Sequence, residues 1–217
     1  MAKHFKSVTI EVKPLTAADE PFLWEMLYQA LYVPQGHPPF PHEILQESEI
    51  SRYVQGWGKP DDLGFAALVN EQMAGAVWMR LLTGENKGFG YVDDATPELS
   101  IALLPEYRGQ GIGSTLMASL LAKAHTRYKA VCLSVAPDNP ALHLYQRLGF
   151  EVIKTTHAAF TLAKHLRSED HAEPSIPYNE HAACVRKQPV TGPRSLIKSR
   201  VKILLTKFDR LVKVEND

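Results

Sequence analysis

The sequence predicts an α/β (α+β) fold in which helices flank a mixed, mostly antiparallel central sheet. Segments with strand-like alternation and segments with helical spacing both occur in the first 162 residues. A short loop at residues 70–72 joins two neighbouring strand segments, which predicts an antiparallel hairpin. Later strand segments are separated by helical ones, so helical crossovers are needed as well, and the sheet must be mixed.

The first third of the chain predicts one strand and two helices. Residues 8–12 alternate between apolar and polar and form the first predicted strand. Thr16 and Asp19 provide a helix start, and apolar residues at helical spacing follow. Several prolines then end this helix near Tyr32. A second helix is predicted over residues 42–53.

The remaining elements follow from periodicity and from turn residues. Ile112 begins an amphipathic helical run, while Asn139 before Pro140 begins another helix that Gly149 closes. The predicted elements are, in order, strands at 64–69, 73–82 and 98–104, a helix over 112–124, a strand at 130–135, a helix between 139 and 149, and a strand at 151–162.

The last fifty residues differ from the rest. Residues 164–193 are rich in His, Glu, Pro and Ser without periodicity, which predicts a linker of low order. From 194 to 217 apolar residues recur at steps of four and three, with Lys and Arg between them, which predicts a basic amphipathic helix. Its aliphatic stripe lacks Trp, so docking on the domain of residues 1–163 or on a second copy, as a homodimer, is favoured over membrane binding.

Composition excludes several functional classes. The 24 Lys and Arg balance 24 Asp and Glu, so we expect no nucleic-acid partner. The nine histidines show no metal-ligand spacing, so we expect no metal. Cys132 and Cys184 lie in dissimilar segments and predict no disulfide, hence a reducing compartment. A polar N-terminus and the lack of a long apolar run predict a cytoplasmic protein without a membrane span.

A glycine turn connects the strand at 98–104 to the next helix. Gly109, Gly111 and Gly113 permit positive φ angles and close approach of a ligand to the backbone. The first amides of the helix lack internal partners and the helix dipole is positive there, so a phosphate group suits the turn. Arg108 adds a cation. A turn that only connects two elements is the alternative.

Three phosphate-binding patterns compete at this turn. A P-loop requires a Lys followed by Ser or Thr after its last glycine, and Ile112 and Ser114 stand here instead. A dinucleotide site requires a third glycine at Ser114 and an acidic residue about 20 residues later, and neither is present. The acyl-CoA pattern is Arg or Gln, two residues, Gly, one residue, then Gly or Ala, and Arg108, Gly111 and Gly113 match it.

Residues 98–113 and 139–150 resemble the two conserved segments of the GNAT superfamily of acyl-CoA N-acyltransferases. The resemblance extends over about residues 8–162. It implies the GNAT fold, acetyl-CoA as acyl donor, and direct transfer of acetyl to a primary amine in a ternary complex. Neither cysteine lies in a motif typical of a covalent intermediate.

The resemblance also implies a set of cofactor-binding residues. In the family the central strand bulges and splays from its neighbour, and pantetheine lies in the gap. This places the acyl donor along Ile101, Ala102 and Leu103, and makes Asn139 a contact of its arm as well as a helix cap. The pyrophosphate would then be held by the turn Arg108, Gly109, Gln110, Gly111, Ile112, Gly113 and Ser114.

Two catalytic residues are expected. The family places a tyrosine at Tyr145 as general acid, where a phenol can protonate a departing thiolate; simple core packing is the alternative. Glu98 is the candidate general base, because an amine must lose a proton before it attacks. For Glu98 the alternatives are a surface carboxylate at the start of a strand, or a chain of waters as base.

The acceptor site is the least determined part of the chain. Tyr28 and Tyr32 fall where the family lines that site, although aromatic residues on a helix are more often core. Asp93 and Asp94 are expected to attract a cationic amine, or else to form a solvated turn. The acceptor is a small-molecule or peptide amine. Two other functions remain open: a non-catalytic acyl-CoA sensor, and an interaction module acting through the C-terminal tail.

Overall fold

A computed structural model describes residues 9–167, which form one seven-stranded sheet with helices packed against it. The strands lie in the order β1-β2-β3-β4-β5-β7-β6, and every neighbouring pair is antiparallel except β4 and β5. The predicted mixed, mostly antiparallel sheet is therefore confirmed. The strands are β1 Ile10–Pro14, β2 Leu63–Val69, β3 Gln72–Arg80, β4 Glu98–Leu103, β5 Ala130–Val135, β6 Glu151–Thr155 and β7 Phe160–His165.

Four α-helices and four short 3₁₀ segments connect these strands. The α-helices are α1 Glu20–Ala30, α2 Ser48–Ser51, α3 Ile112–Ala124 and α4 Leu142–Arg147. The 3₁₀ segments are Ala17–Asp19, His42–Gln46, Gly84–Asn86 and Pro105–Tyr107. Helix α3 packs its apolar face on the sheet and supplies the fully buried core residues Ile112, Leu116, Met117, Leu120 and Ala124.

The hairpin between β2 and β3 is tighter than predicted. Its turn consists of Asn70 and Glu71, whose φ angles of 50° and 67° are both positive. Two consecutive residues with positive φ make the turn whose twist matches that of antiparallel strands. Gln72 consequently belongs to β3.

Strands β4 and β5 separate soon after they begin. Glu98 and Cys132 are their one paired position, whereas on its other edge β5 pairs with β7 along its whole length. The splay that the family resemblance implied is therefore present. Residues 98–103 pair with β3 in unbroken register, so the expected bulge does not interrupt that side of β4. The backbone edge of β4 beyond Glu98 faces a gap instead of a neighbouring strand.

Two predicted elements are corrected by the structure. The predicted helix over 42–53 is a 3₁₀ turn and the four-residue α2, because Glu47 between them has extended backbone angles. The predicted strand over 151–162 is two strands, β6 and β7, joined by a turn. In this turn the Thr156 hydroxyl donates to the Ala159 carbonyl and accepts from the amides of Ala158 and Ala159.

Several predictions lie outside the described residues. These are the start of the first strand, most of the linker at 164–193, the helix at 194–217 and Cys184. Within residues 9–167 no helix is long and apolar enough to cross a membrane, and no cluster of three or more His, Cys, Asp or Glu has the arrangement of a metal site.

Candidate active site

A cavity of about 830 Å³ occupies the gap between β4 and β5. Helix α1, the segment after it and the start of α4 complete its walls. Its volume lies in the range typical of small-molecule sites. Most of the site residues predicted from the sequence line this one cavity: Tyr28, Tyr32, Glu98, Ile101, Ala102, Leu103, Arg108, Gly113, Asn139 and Tyr145.

Glu98 is a buried carboxyl at the start of β4, with 4% of its surface exposed. Its Oε1 accepts two hydrogen bonds of 2.8 Å, one from the Tyr53 hydroxyl and one from the Gly90 amide. Its Oε2 has no hydrogen-bond partner within the part of the chain that the structure describes. One oxygen is thus fixed by the protein, while the other is buried without a protein partner and is free to hold a proton.

Two glycines make room for this carboxyl. A Cβ at Gly88 would overlap Oε2 of Glu98, and a Cβ at Gly90 would lie 2.9 Å from Oε1. The side chain of Glu98 therefore occupies space that any larger residue at these positions would fill. The loop that contains Gly88 and Gly90 is therefore one wall of the carboxyl's pocket.

Burial dominates the electrostatics of Glu98. Desolvation raises the pKa of Glu98 to about 7, although the Gly90 amide, the Tyr53 hydroxyl and the charge of Arg52 act in the opposite direction. Burial, followed by the nearby charge of Glu98, raises the pKa of Tyr53 well above its usual value. Tyr53 therefore stays protonated and acts as a donor, while Glu98 can exchange a proton near neutrality.

Tyr145 lies on α4 and faces the same cavity with 7% of its surface exposed. Its ring meets Phe150 edge-on at a centroid distance of 6.0 Å. Burial raises the pKa of Tyr145 to about 12, so the phenol is protonated at neutral pH. No hydrogen bond joins the Tyr145 hydroxyl to any other residue in 9–167, which leaves its proton for a ligand.

The α4 segment ends at Gly149 as the sequence predicts, but its helix begins at Leu142, with Ala141 and not Asn139 as its N-cap. Asn139 accepts a 2.9 Å hydrogen bond from the Ala141 amide through Oδ1 and so starts the turn that leads into α4. Gly149, with a φ of 79°, ends the segment, and the Phe150 amide donates back to the Tyr145 carbonyl. Tyr145 is thereby held between the turn at Asn139 and the glycine that ends the segment.

The glycine turn has the geometry of an anion site. Gly109 and Gly111 have φ angles of 74° and 83°, and Gly111 precedes the first residue of α3. The backbone amides of residues 109–113 donate to no acceptor within the described chain. Arg108 is fixed beside them by bonds to the Leu103 carbonyl and to Gln29, at 3.0 and 2.8 Å.

Not every residue of this turn can contact a ligand in the same way. The Ile112 side chain is part of the core, so only its amide is available. The Ser114 amide already donates to the Gly111 carbonyl at 3.0 Å. Gly109, Gln110, Gly111, Ile112 and Ser114 lie beside the cavity and do not line it, in contrast to Arg108 and Gly113.

The expected acceptor residues divide into two groups. Tyr28 and Tyr32 line the cavity, and their hydroxyls donate to the carbonyls of Phe40 and Asp138 at 2.6 and 3.1 Å. Asp93 and Asp94 are exposed, lie outside the cavity lining, and bond within their own turn to the Ala95 amide and the Tyr91 hydroxyl. The structure does not bring these two carboxylates to Glu98's cavity.

Sequence reasoning missed the residues that hold Glu98 and Arg108. Tyr53, Gly88, Gly90 and Gln29 appear in no predicted site. The one local signal was the pair of glycines, Gly88 and Gly90, on either side of Phe89. Closely spaced glycines indicate a loop, but they do not indicate which side chain the loop contacts. Tyr53 is 45 positions from Glu98, a separation that periodicity and motifs do not connect.

Comparisons with known proteins agree with this architecture. The Acetyltransferase (GNAT) family matches residues 23–150. The fold is similar to the ribosomal-protein-S18-alanine N-acetyltransferase of Escherichia coli, with 20% identity, a TM-score of 0.52, and coverage of 78% of this chain and 100% of that one. It is also similar to the PaiA N-acetyltransferase of Thermoplasma acidophilum in complex with coenzyme A, with 19% identity, a TM-score of 0.53, and coverage of 72% and 99%.

A third solved structure, the GNAT domain of S. lividans PAT, is 15% identical with a TM-score of 0.53, and the similarity covers 76% of this chain and 99% of that domain. A comparison with curated proteins finds no match. The low identities to solved structures concern the fold alone, whereas the family match extends over more than half of the chain and includes β4, the glycine turn and α4. The chain belongs to the GNAT family of acetyltransferases.

Proposed function

We propose that this protein transfers an acetyl group from acetyl-CoA to a primary amine by direct attack in a ternary complex. The observation that carries this proposal is that Glu98 and Tyr145 are both buried at one cavity. One is a carboxyl with a pKa of about 7, and the other is a phenol with a pKa of about 12. An acceptor and a donor of protons therefore face the same space.

The residues around the cavity fit acetyl-CoA. Five consecutive free amides at residues 109–113, at the start of the thirteen-residue α3, suit an anionic pyrophosphate, and Arg108 adds a fixed positive charge. The open edge of β4 at Ile101, Ala102 and Leu103 offers backbone groups to the pantetheine amides. The side-chain amide of Asn139 offers a further contact to the cofactor. When bound, acetyl-CoA supplies an activated acetyl thioester.

The acceptor amine must lose a proton before it can attack, and Glu98 can accept that proton. An amine with a pKa near 10 is neutral in only about one part in a thousand at pH 7. The unpaired Oε2 of Glu98 can accept the ammonium proton, and its raised pKa makes the carboxyl a suitable base near neutrality. Tyr145 can then donate a proton to the departing sulfur.

The protons balance in this scheme. As the nitrogen–carbon bond forms and the carbon–sulfur bond breaks, nitrogen loses two protons in all. Glu98 takes the first and releases it to solvent, and the second replaces the proton that Tyr145 gives to sulfur. The products are the amide and CoA as a free thiol.

A covalent acetyl-cysteine route is disfavoured within the described chain. Cys132 is fully buried, and burial together with the charge of Glu98 raises the pKa of its thiol. It also lies outside the lining of the cavity. A buried neutral thiol is a poor nucleophile, so direct attack by the amine is the simpler route.

The test is an acceptor panel with the full-length protein and acetyl-CoA, with CoA release followed by a thiol reagent. Amine-dependent release, with the acetylated amine identified by mass spectrometry, is the expected result. Tight binding of acetyl-CoA without release for any amine would instead support the acyl-CoA sensor. The Glu98→Gln protein serves as the control for uncatalysed transfer.

A further inference from the structure

The charges that line the cavity are few, and they are far apart. Within the described chain, the lining contains one carboxylate, Glu98, and one guanidinium, Arg108. Glu98 starts β4, whereas Arg108 is bonded to Leu103 at its other end. Six residues of strand separate these ends by about 17 Å. If the glycine turn holds the pyrophosphate, as proposed above, then the acceptor approaches the Glu98 end.

The walls near Glu98 are apolar and aromatic. Tyr53 and Phe89 stack with ring centroids 6.1 Å apart and an interplanar angle of 17°. The Tyr28 hydroxyl is bonded to the Phe40 carbonyl, so Tyr28 offers mainly its ring. Within residues 9–167, the rest of the lining adds no charged side chain. It includes the apolar residues Leu27, Pro39, Phe40 and Ile50, and the hydroxyls of Ser100 and Ser134.

The two arginines near Glu98 are already engaged by the protein. Arg52 donates to the carbonyls of Ser48, Glu85 and Lys87. Arg80 is buried against Asp62, with bonds of 2.8 and 3.1 Å, and donates to three backbone carbonyls as well. Neither lines the cavity. Neither guanidinium is therefore placed to form an ion pair with an acidic group of the acceptor inside the cavity.

We propose that the acceptor is a primary amine that carries a single positive charge on an apolar body such as an aralkyl group. This inference rests on the proposed function and adds the substrate class. Glu98 can pair with one ammonium, but a second ammonium would be buried against apolar walls without a partner, which is strongly unfavourable. The same reasoning excludes a carboxylate beside the amine. Polyamines, aminoglycosides and free amino acids are therefore poor acceptors, whereas aralkyl amines are good ones.

Matched amines test this inference with the full-length protein. Phenethylamine is the reference, phenylalanine adds only a carboxylate, and 4-(aminomethyl)phenethylamine adds only a second ammonium. Spermidine represents an extended polyamine. We expect kcat/KM for phenethylamine to exceed each of the others by about tenfold or more, since an unpaired buried charge costs at least that factor.

The outcomes separate the inference from the function on which it rests. Fastest turnover with spermidine, with the diamine or with phenylalanine overturns the inference and leaves the acetyltransferase function standing. Absence of turnover with every amine, despite binding of acetyl-CoA, overturns the proposed function and the inference with it.

A variant at Phe89 tests whether the wall beside Glu98 sets the selectivity. Phe89 is 37% exposed, so substitution is compatible with folding. Phe89→Asp adds a second carboxylate, and we expect the ratio of kcat/KM for the diamine over phenethylamine to rise about tenfold. Phe89→Leu keeps the wall apolar and should leave that ratio within about twofold of the parent. An unchanged ratio in Phe89→Asp overturns the assignment of this wall to the acceptor.

Discussion

The Tyr53 hydroxyl donates a 2.8 Å hydrogen bond to Oε1 of Glu98, across 45 positions of sequence. The same hydroxyl accepts a 2.7 Å bond from the Phe89 amide, which orients its own proton toward the carboxyl. Because Oε1 already accepts bonds from Tyr53 and Gly90, a proton taken up by Glu98 is placed on Oε2. Tyr53 and Gly90 thus select Oε2 as the oxygen that would accept a proton in the proposed mechanism.

Tyr53→Phe should make Glu98 harder to ionise. The lost hydroxyl is one of the groups that lower the pKa of Glu98, so the acidic limb of the kcat/KM profile should move to higher pH, while the rate above the limb is largely retained. The unpaired Phe89 amide should also reduce the free energy of unfolding by about 1–3 kcal/mol. The control is Tyr91→Phe, whose hydroxyl bonds to exposed Asp94 outside the cavity. A limb that stays in place would show that Tyr53 only supports the fold.

Glu98→Gln should lower kcat/KM by about a hundredfold to ten-thousandfold near neutral pH, the usual contribution of general base catalysis. The acidic limb near pH 7 should disappear or move, because the titrating group is gone. The measurement is the pH–rate profile beside the parent protein. If the variant keeps the parent's profile at full rate, a chain of waters is the base instead of Glu98.

Glu98→Gln should also change how the free energy of unfolding depends on pH. The pKa of Glu98 is raised from 4.5 to about 7 in the folded protein, so the folded state binds the proton more tightly than the unfolded state. Protonation of Glu98 therefore stabilises the folded state. This stabilisation is fully present below about pH 4.5 and is lost as the pH rises through 7, a change of about 3 kcal/mol in the free energy of unfolding. Urea unfolding at pH 5 and pH 8 should show a smaller difference in Glu98→Gln than in the parent. Glu106→Gln, at an exposed position, is the matched control.

Tyr145→Phe should lower kcat by about a hundredfold to ten-thousandfold while leaving acetyl-CoA affinity nearly unchanged. The hydroxyl has no partner within residues 9–167, so its removal leaves no protein group unsatisfied and the fold should be kept. Calorimetry for binding and single-turnover kinetics for transfer separate the two effects. Tyr128→Phe, which removes a bond to the Asp61 carbonyl at the surface, is the control. If the variant turns over as fast as the parent, Tyr145 is a packing residue and not the general acid.

Gly111→Asp should abolish acetyl-CoA binding by placing a negative charge in the turn that we assign to the pyrophosphate. Gly111 has a φ of 83° and open space where a Cβ would lie, so the substitution introduces backbone strain and charge without a clash. Gly84→Asp has the same two properties at a distant loop, with a φ of 60° and no neighbour within 4 Å. If Gly111→Asp loses acetyl-CoA binding and Gly84→Asp keeps it, the loss is due to the position of the substitution in this turn. Equal affinity in both variants would contradict the assignment of this turn.

The parts of the fold that depend on local chemistry were predictable. The bounds of β5 and the start of α3 agree with the structure, because apolar periodicity and glycine placement determine them. The turn at Thr156 was not predicted, since its hydrogen bonds come from a threonine hydroxyl and the segment contains neither Gly nor Pro. Without a Gly or Pro at such a turn, the sequence does not distinguish two short strands from one long strand.

The candidate site was predictable only in part, and for a related reason. Tyr145, Glu98 and the glycine turn belong to contiguous motifs, and the cavity brings Tyr145 and Glu98 together. Asp93 and Asp94 are close to Glu98 in sequence, but they are exposed and bond within their own turn. The support that Tyr53 gives to Glu98 depends on the tertiary fold and leaves no local trace.

Gly88 offers the sharpest test of the space around Glu98. A Cβ at Gly88 would overlap Oε2 of Glu98 and lie 2.7 Å from the Tyr53 hydroxyl. Its φ is not in the left-handed region, so the backbone tolerates Ala and the carboxyl is the main obstacle. Gly88→Ala should displace Glu98 and lower kcat/KM by about tenfold to a hundredfold, with an overpacking cost of about 1–3 kcal/mol.

A double-mutant cycle separates an effect through Glu98 from a general disturbance. If Gly88 acts only by leaving room for the carboxylate, Gly88→Ala should add little further loss of activity in a Glu98→Gln background, where the base has already been removed. Thermal unfolding of all four proteins checks that each is folded under assay conditions. An equal loss in both backgrounds would mean that Gly88 affects the cavity by another route, because two changes that act on the same proton acceptor cannot contribute independently.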